Sequence, residues 1–345
     1  MIWFLGIILF GVLGIALTGW SVSAPGYQGP KSDHFNGTTF QNIGGVDSKN
    51  LWQVLKWMIN REQGEWVEMT KSDVSYGKPP AKKVEKGLQL TYVNHSTFLI
   101  QTAGFNILTD PVWAERVSPF SFMGPRRMRP PGIRFRDLPP IDVVLVSHNH
   151  YDHLDIDALQ RLKADFDPLF LVPLGVDLYL QKKGISKTIS MDWWNEEQVT
   201  DTVSVAFVPA QHFSARGMFD RDKTLWGGFV LQSPAANIYF AGDTGYGSFF
   251  PEIGKRYAPI KIGLIPIGAY KPRWFMSPVH LDPEEAIQVH HDVEAEVSIG
   301  MHYGTFPLAD DGQYDPLNDL KKALAQQDST PDFRILEEGK SLMFN

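Results

Sequence analysis

Residues Ile2 to Trp20 carry no charged side chain, and their apolar positions surround a helix on all sides instead of lining one face. About 20 such residues cross a bilayer's hydrocarbon core. The pattern predicts a single-pass N-terminal membrane anchor over residues 1–22, with a cleaved signal peptide ending at Val22-Ser23-Ala24 as the rival reading. No Lys or Arg precedes the apolar run and Pro25 follows the would-be cut, which favours the anchor. Few charges flank the segment, so the positive-inside rule leaves open which side of the membrane faces the domain. From Ser23 to about Gly45, Gly, Pro, Ser and Asn dominate without periodicity, the composition of a linker. Leu51, Val54, Leu55 and Met58 then recur at i, i+3, i+4 and i+7 beside Trp52 and Trp57, predicting a short amphipathic helix. An arm packed on the main domain accounts for it better than a helix lying on a membrane surface. Gly77-Lys78-Pro79-Pro80 closes this region, so residues 23–85 read as linker and arm and residues 86–345 as the main domain.

Past residue 86 the pattern changes to apolar or β-branched runs separated by turns. Ile141–Val146, Val203–Val208, Asn237–Phe240 and Glu296–Gly300 each predict a buried or half-buried strand. Just beyond their C-terminal ends stand, in turn, His148, His150, Asp152 and His153; His212; Asp243; and His302. Loops at one edge of a sheet would let all of them converge. Gly242 and Gly245 permit close backbone approach beside Asp243.

Composition narrows the chemistry available. With 345 residues, 43% hydrophobic and 21% charged, the chain has enough apolar surface for a substantial core. A net charge of −7 argues against a nucleic acid as the main partner. Cysteine is absent, which removes disulfides, thiolate nucleophiles and thiolate metal ligands. The seven imidazole and carboxylate donors suit a two-metal site of zinc, with iron or manganese also matching. An isolated histidine is ordinarily a satisfied core residue, but the His148–His153 cluster would be costly to bury without a metal.

"HNHYDH" (residues 148–153) resembles the His-x-His-x-Asp-His signature of metallo-β-lactamase-fold hydrolases, and His212, Asp243 and His302 follow in that superfamily's order. "LPPIDVVLVSHNHYDHLD", "MDWW", "LWGGFVL", "FAGDTGY", "IGKRY", "IPIGAYKPRWFM", "HLDPEEA" and "HYGTF" are similar to N-acyl-phosphatidylethanolamine-hydrolysing phospholipase D, over about Leu88 to Gly339. The resemblance implies an α/β (α+β) fold, the αββα sandwich of two mixed sheets flanked by helices, here joined to the N-terminal transmembrane helix. It implies two zinc ions: His148, His150 and His212 on the first, Asp152, His153 and His302 on the second, and Asp243 bridging both. Asp152 and His280 would be the catalytic side chains, His280 supporting the leaving alkoxide. Tyr151 and Trp274 would bind substrate: Tyr151 would orient it or only pack, and Trp193, Trp194, Trp274, Phe275 and Met276 would line an acyl groove or belong to the core, the resemblance favouring the groove for the segment around Trp274.

The implied reaction is attack of a metal-bound hydroxide on phosphorus, converting N-acyl-phosphatidylethanolamine to an N-acylethanolamine and phosphatidate. Partners would be the phospholipid and the membrane, with no nucleic acid and with a homodimer compatible. A hydrolase of another ester on the same fold, such as a lactone or a cyclic or sugar phosphate, is the alternative; a non-catalytic membrane scaffold is a third reading, opposed by the complete donor set. His95 in "VNHSTF" reads as a supporting residue, and His290 and His291 as helical and solvated or structural. Arg126, Arg127 and Arg129 would meet a lipid phosphate or simply be solvated. Asp282, Pro283 and Glu285 carry the marks of a helix start.

Overall fold

Successive side chains of a strand point to opposite faces, so a strand buried on both sides reads as an unbroken apolar run. Such strands build the centre of this protein. A computed structural model describes residues 14, 17–46, 49, 51–69 and 80–344 and shows two sheets, each of seven strands. The first runs β14 (Ser341–Phe344), β1 (Leu88–Asn94), β2 (Thr97–Thr102), β3 (Phe105–Thr109), β4 (Val143–Leu145), β5 (Leu169–Pro173) and β6 (Thr188–Met191) in spatial order. The second runs β13 (Phe333–Arg334), β12 (Ala295–Met301), β11 (Ile260–Pro266), β10 (Asn237–Phe240), β9 (Gly228–Gln232), β8 (Ser204–Val208) and β7 (Glu196–Gln198). Both are mixed. β3 to β6 and β10 to β13 pair in parallel, and the remaining pairs are antiparallel.

Alternation divides the apolar side chains between two cores. Val143 and Leu145 of β4 join Ile107, Leu171, Phe207, Phe229 and Leu264 in a cluster drawn from both sheets. Val144, between them, faces away and packs with Leu159 and Leu162 of α2 (Ile156–Phe166) and Leu180 of α3 (Val176–Lys182). Beyond the second sheet lie α4 (Phe250–Tyr257), α6 (Pro283–Asp292) and α7 (Asp315–Ala325), contributing Ile253, Ile287, Val289 and Leu320 to the core. This is the expected arrangement of two mixed sheets flanked by helices. All four sequence-predicted strands are present within a residue or two of their expected ends.

The membrane anchor expected over residues 1–22 requires correction. Among the described residues, no helix is long and apolar enough to cross a membrane. Residue 14 and residues 17–22 are helical. Ser23 Oγ, just after them, donates to Gly19 O and accepts from Phe219 N–H, fastening them to the body. The transmembrane helix and the single-pass membrane location are therefore unsupported; residues 1–13, 15 and 16 lie outside the described residues.

Residues 24–46 also differ from a free linker. Ala24 N–H donates to Asp220, Tyr27 N–H to Lys223 O and Phe40 N–H to Asp222 O, while the rings of Phe35 and Phe40 are buried in the sandwich core. The amphipathic helix forms as α1 (Leu51–Ile59), with Leu55 and Met58 exposed and Trp57 turned inward. Trp57 takes that side because its ring stacks on Phe275 at 4.9 Å and its indole N–H finds Asp310 at 3.1 Å. Of the Gly77–Pro80 turn, residues 77–79 lie outside the described residues.

His34 latches this arm. Its ring stacks on Trp193 at 4.4 Å, Nδ1 lies 2.6 Å from Asp33 and Nε2 2.7 Å from Asp192. Burial opposes its charge, but the Asp192 and Asp33 carboxylates together raise its pKa above the ordinary 6.5. Stabilisation from a raised histidine pKa is full below the unfolded value and is lost as pH rises through the folded one. The urea midpoint is thus expected to fall as pH climbs above about 6.5, and that component to vanish in His34→Gln. An unchanged pH profile in the variant would remove the latch.

Candidate metal centre

The loop after β4 is tied at both ends. Asp155 caps α2, one carboxylate oxygen accepting from Asp157 and Ala158 N–H, the other from Trp113 and Ala114 N–H. The buried Arg216 guanidinium donates to Asn149 O at 2.8 Å and Leu154 O at 3.0 Å. Between these fixed points stand His148, His150, Asp152 and His153. The ends of β8, β10 and β12 bring His212, Asp243 and His302 to the same edge of the sandwich. Gly242 lets the Asp243 turn close, for it has φ +63° and an added Cβ would stand 2.7 Å from Gly227 O and 2.8 Å from Ser147 Cβ.

The donors converge in overlapping clusters: His148, His150 and His212 form one group, Asp152, His153 and His302 with His95 a second, and Asp243 lies with His148 and His153 on one side and with His212 and His280 on the other. His150 Nδ1 lies 2.8 Å from His148 Nε2 and 3.2 Å from His212 Nε2. Asp152 Oδ2 lies 3.3 Å from His153 Nε2 and 3.2 Å from His302 Nε2. Asp243 Oδ2 reaches His153 at 3.2 Å, His302 at 3.0 Å and His212 at 3.8 Å, touching both groups. Imidazole nitrogens gathered this closely could share one cation. Buried Asp243 Oδ1 has no hydrogen-bond partner, as expected of an atom available to a metal.

Residues 105–303 match the beta-lactamase superfamily domain. The chain belongs to that family. Over 260 residues it is 40% identical to N-acyl-phosphatidylethanolamine-hydrolyzing phospholipase D 1 of Caenorhabditis elegans, spanning 72% of this chain and 73% of that one. A UPF0173 metal-dependent hydrolase of Caldivirga maquilingensis is 31% identical over 218 residues, 63% of this chain and 83% of its own. Igni18, a metallo hydrolase of the archaeon Ignicoccus hospitalis, shares the fold with a TM-score of 0.57 at 24% identity, over 75% of this chain and 99% of its own. This member of the beta-lactamase superfamily is a metal-dependent hydrolase, and its fold implies divalent metal ions.

Electrostatics separate the two donor groups. Burial pushes His150 and His212 down to about 3, keeping them in the neutral form that binds metal. Burial also opposes charge on His302, but the Asp243 and Asp152 carboxylates lift it to about 9, and the same pair with Asp110 raises His153. Reciprocally, His153 and His302 hold the Asp243 carboxyl well below the usual range despite its burial, and His153 leads the same effect on Asp152. A divalent cation held by the second group would take the place of these protons.

Other sequence-predicted residues fall around this centre. His280 borders it, Nδ1 without a hydrogen bond and 4.0 Å from Asp243 Oδ2. The helix start belongs to Asp282 and Glu285, which form a reciprocal capping box on α6 and leave the His280 ring free. Tyr151 turns aside: its hydroxyl donates to Arg216 O at 3.1 Å and its ring lies under the Arg216 guanidinium. Trp274, in α5 (Arg273–Met276), is 45% exposed and lines a cavity with Trp57 and Lys271, while its neighbours Phe275 and Met276 line the cavity that reaches His280. His95 Nε2 lies 3.1 Å from Asp152 Oδ2, and His290 pairs with Ser298. Arg127 is consumed by the carbonyls of Ala114 and Val112, Arg129 by Glu338 and Arg126 by Glu68.

Sequence reasoning missed Asp110. It follows β3 in "LTDP" and accepts from Ser147 N–H, Ser147 Oγ and His153 Nδ1, the last at 2.6 Å. That bond points the His153 Nδ1 proton at Asp110 and leaves Nε2 as the nitrogen that would face a metal. An acid just past a strand end was the available signal, the same one that marks Asp243.

Proposed function

We propose that this hydrolase is a zinc-dependent phosphodiesterase that converts N-acyl-phosphatidylethanolamine to an N-acylethanolamine and phosphatidate. His148, His150 and His212 would hold the first of two zinc ions, Asp152, His153 and His302 the second, and Asp243 both. The observation that carries the reading is the 40% identity, over nearly three quarters of each chain, to a relative named for that reaction. The complete set of convergent donors supports it. When bound, such ions lower the pKa of water toward 7 and draw charge from phosphoryl oxygens.

The chain's own residues supply position and a donor. A cavity of about 290 Å³ beside the centre is walled by Val54, Trp57, Phe275, Met276 and Val279 and ends at His280, a shape suited to an acyl chain whose polar end faces the donors. Lys49 and Arg221 add positive charge to that lining, matching a phosphodiester anion. Burial brings His280 down to about 3, so at neutral pH it is a neutral imidazole with one N–H to offer the departing oxygen as a hydrogen bond.

Purified protein incubated with N-acyl-phosphatidylethanolamine, with products resolved by mass spectrometry and metals by elemental analysis, tests this directly. N-acylethanolamine, phosphatidate and two zinc ions per chain are expected. Release of free fatty acid or of an unacylated amine would move the cut to the ester or amide and overturn the assignment.

A further inference from the structure

Residues 24–46 wrap the sandwich, yet nothing in the proposed chemistry requires them. One side chain in this arm reaches the centre. We infer that Asn42 is a positioning residue: its amide clasps the backbone of His212, 170 positions away, and so sets the direction of that imidazole. The inference rests on the reading of His212 as a metal ligand.

All four hydrogen-bonding positions of the Asn42 amide are used. Oδ1 accepts from His212 N–H at 3.0 Å and from Trp226 Nε1–H at 3.0 Å; Nδ2 donates to His212 O at 2.9 Å and Val46 O at 3.1 Å. A primary amide has two acceptor and two donor positions, so asparagine is fully matched here. Rotating it by half a turn would set donor against donor and acceptor against acceptor at every contact. Aspartate keeps the two acceptor contacts but turns an anionic oxygen toward two carbonyls. The side chain thereby pairs with both sides of the His212 residue as a neighbouring strand would.

The ring is fixed from a third direction. His212 Nδ1–H donates to Val279 O at 2.9 Å, which leaves Nε2 bare and 3.2 Å from His150 Nδ1. Backbone and ring restraints together fix the Nε2 lone pair. Loss of the backbone pair lets the ring pivot on the Val279 contact. Supporting contacts of this kind typically change metal affinity 10- to 100-fold. The arm has separate moorings in Phe35, Phe40, Tyr27 and Ala24, so removing the Asn42 amide leaves it in place.

The test uses the full chain, stripped of metal and titrated with zinc against a competing chelator, and separately loaded with cobalt(II) for visible absorption. Asn42→Ala is expected to weaken one of two bound ions by at least about tenfold, with the other unchanged, and to alter the cobalt bands of the imidazole-only group. Asn42→Asp, nearly the same shape, should weaken the same ion and guards against misfolding of the alanine variant. Asn36→Ala is the control: that side chain serves only its own turn, accepting from Thr38 and Thr39 N–H and donating to Thr39 Oγ1, and its loss should leave both affinities alone even where the melting temperature falls. Wild-type affinity for both ions in the two Asn42 variants would overturn the inference, as would equal weakening by Asn36→Ala. His212→Ala separates the two readings. If it loses the ion while the Asn42 variants keep it, only the role of Asn42 fails; if it too keeps both ions, the ligand assignment fails and takes this inference with it.

Discussion

Asp243→Ala is expected to leave less than one metal ion per chain and to lower hydrolysis by at least about a thousandfold. Asp243 is the carboxylate whose oxygen stands within 3.8 Å of His212 in one donor group and within 3.2 Å of His153 and His302 in the other. Asp152, by contrast, reaches His95, His153 and His302, all on the second side. Alanine therefore removes an anion from both groups at once, and a metal's charge stabilisation of several kcal/mol is lost at about 1.4 kcal/mol per tenfold in rate. The fold should survive. Oδ1 has no hydrogen bond and Oδ2 faces only the imidazoles, so no backbone group is orphaned by the change. Elemental analysis beside far-ultraviolet circular dichroism checks both halves; a folded variant that retains two ions would show that the carboxylate is not shared.

The donors were legible in the sequence because the information about them is local. Each stands a few residues past an apolar run, and the runs are the strands that carry them: Asn237–Phe240 is β10 as expected, and β4 lies inside Ile141–Val146. The two-layer burial of β4 was legible too, since Val143, Val144 and Leu145 are all apolar and only a strand covered on both faces needs that. Their supports were less visible. Asp110 lies 43 positions from His153 and Asn42 lies 170 from His212, distances at which no spacing rule operates. A Gly-, Pro- and Asn-rich stretch has the same composition whether water or another part of the chain takes its hydrogen bonds, which is why Ser23 to about Gly45 read as a linker. Hydropathy failed differently at the N-terminus. It measures what a helix would tolerate, whereas in the structure the helical residues 17–22 lead into Ser23, whose hydroxyl accepts from Phe219 N–H. Which ring of an aromatic pair faces a given cavity was not legible: Trp274 and Phe275 are adjacent, and a single residue's rotation along the helix sends them to different cavities.

His280→Ala is expected to slow release of an N-acylethanolamine by about a hundred- to a thousandfold while barely affecting a substrate that releases an activated phenolate. An alkoxide leaving group develops nearly a full charge and gains most from a donor aimed at it, whereas a phenolate spreads that charge and leaves unaided. The His280 ring is placed for this role: bordering the centre 4.0 Å from Asp243, at the end of the apolar cavity, with Nδ1 free of any competing partner. Its depressed pKa, about 3, means that a neutral imidazole does the work across the ordinary pH range, so the alkoxide rate should show no protonation step near 6.5 assignable to this residue. The backbone contacts of His280, from its N–H to Met276 O and from Arg273 to its carbonyl, survive the substitution, so the variant should fold and bind metal as the parent does. Hydrolysis in oxygen-18 water adds the second axis. With no cysteine to form a thioester or thiophosphate intermediate, direct attack at phosphorus places the label in phosphatidate and none in the alcohol. Equal loss of rate on both substrates would make His280 a packing residue, and label in the N-acylethanolamine would refute cleavage at phosphorus itself, leaving the metal centre intact but its reaction unassigned.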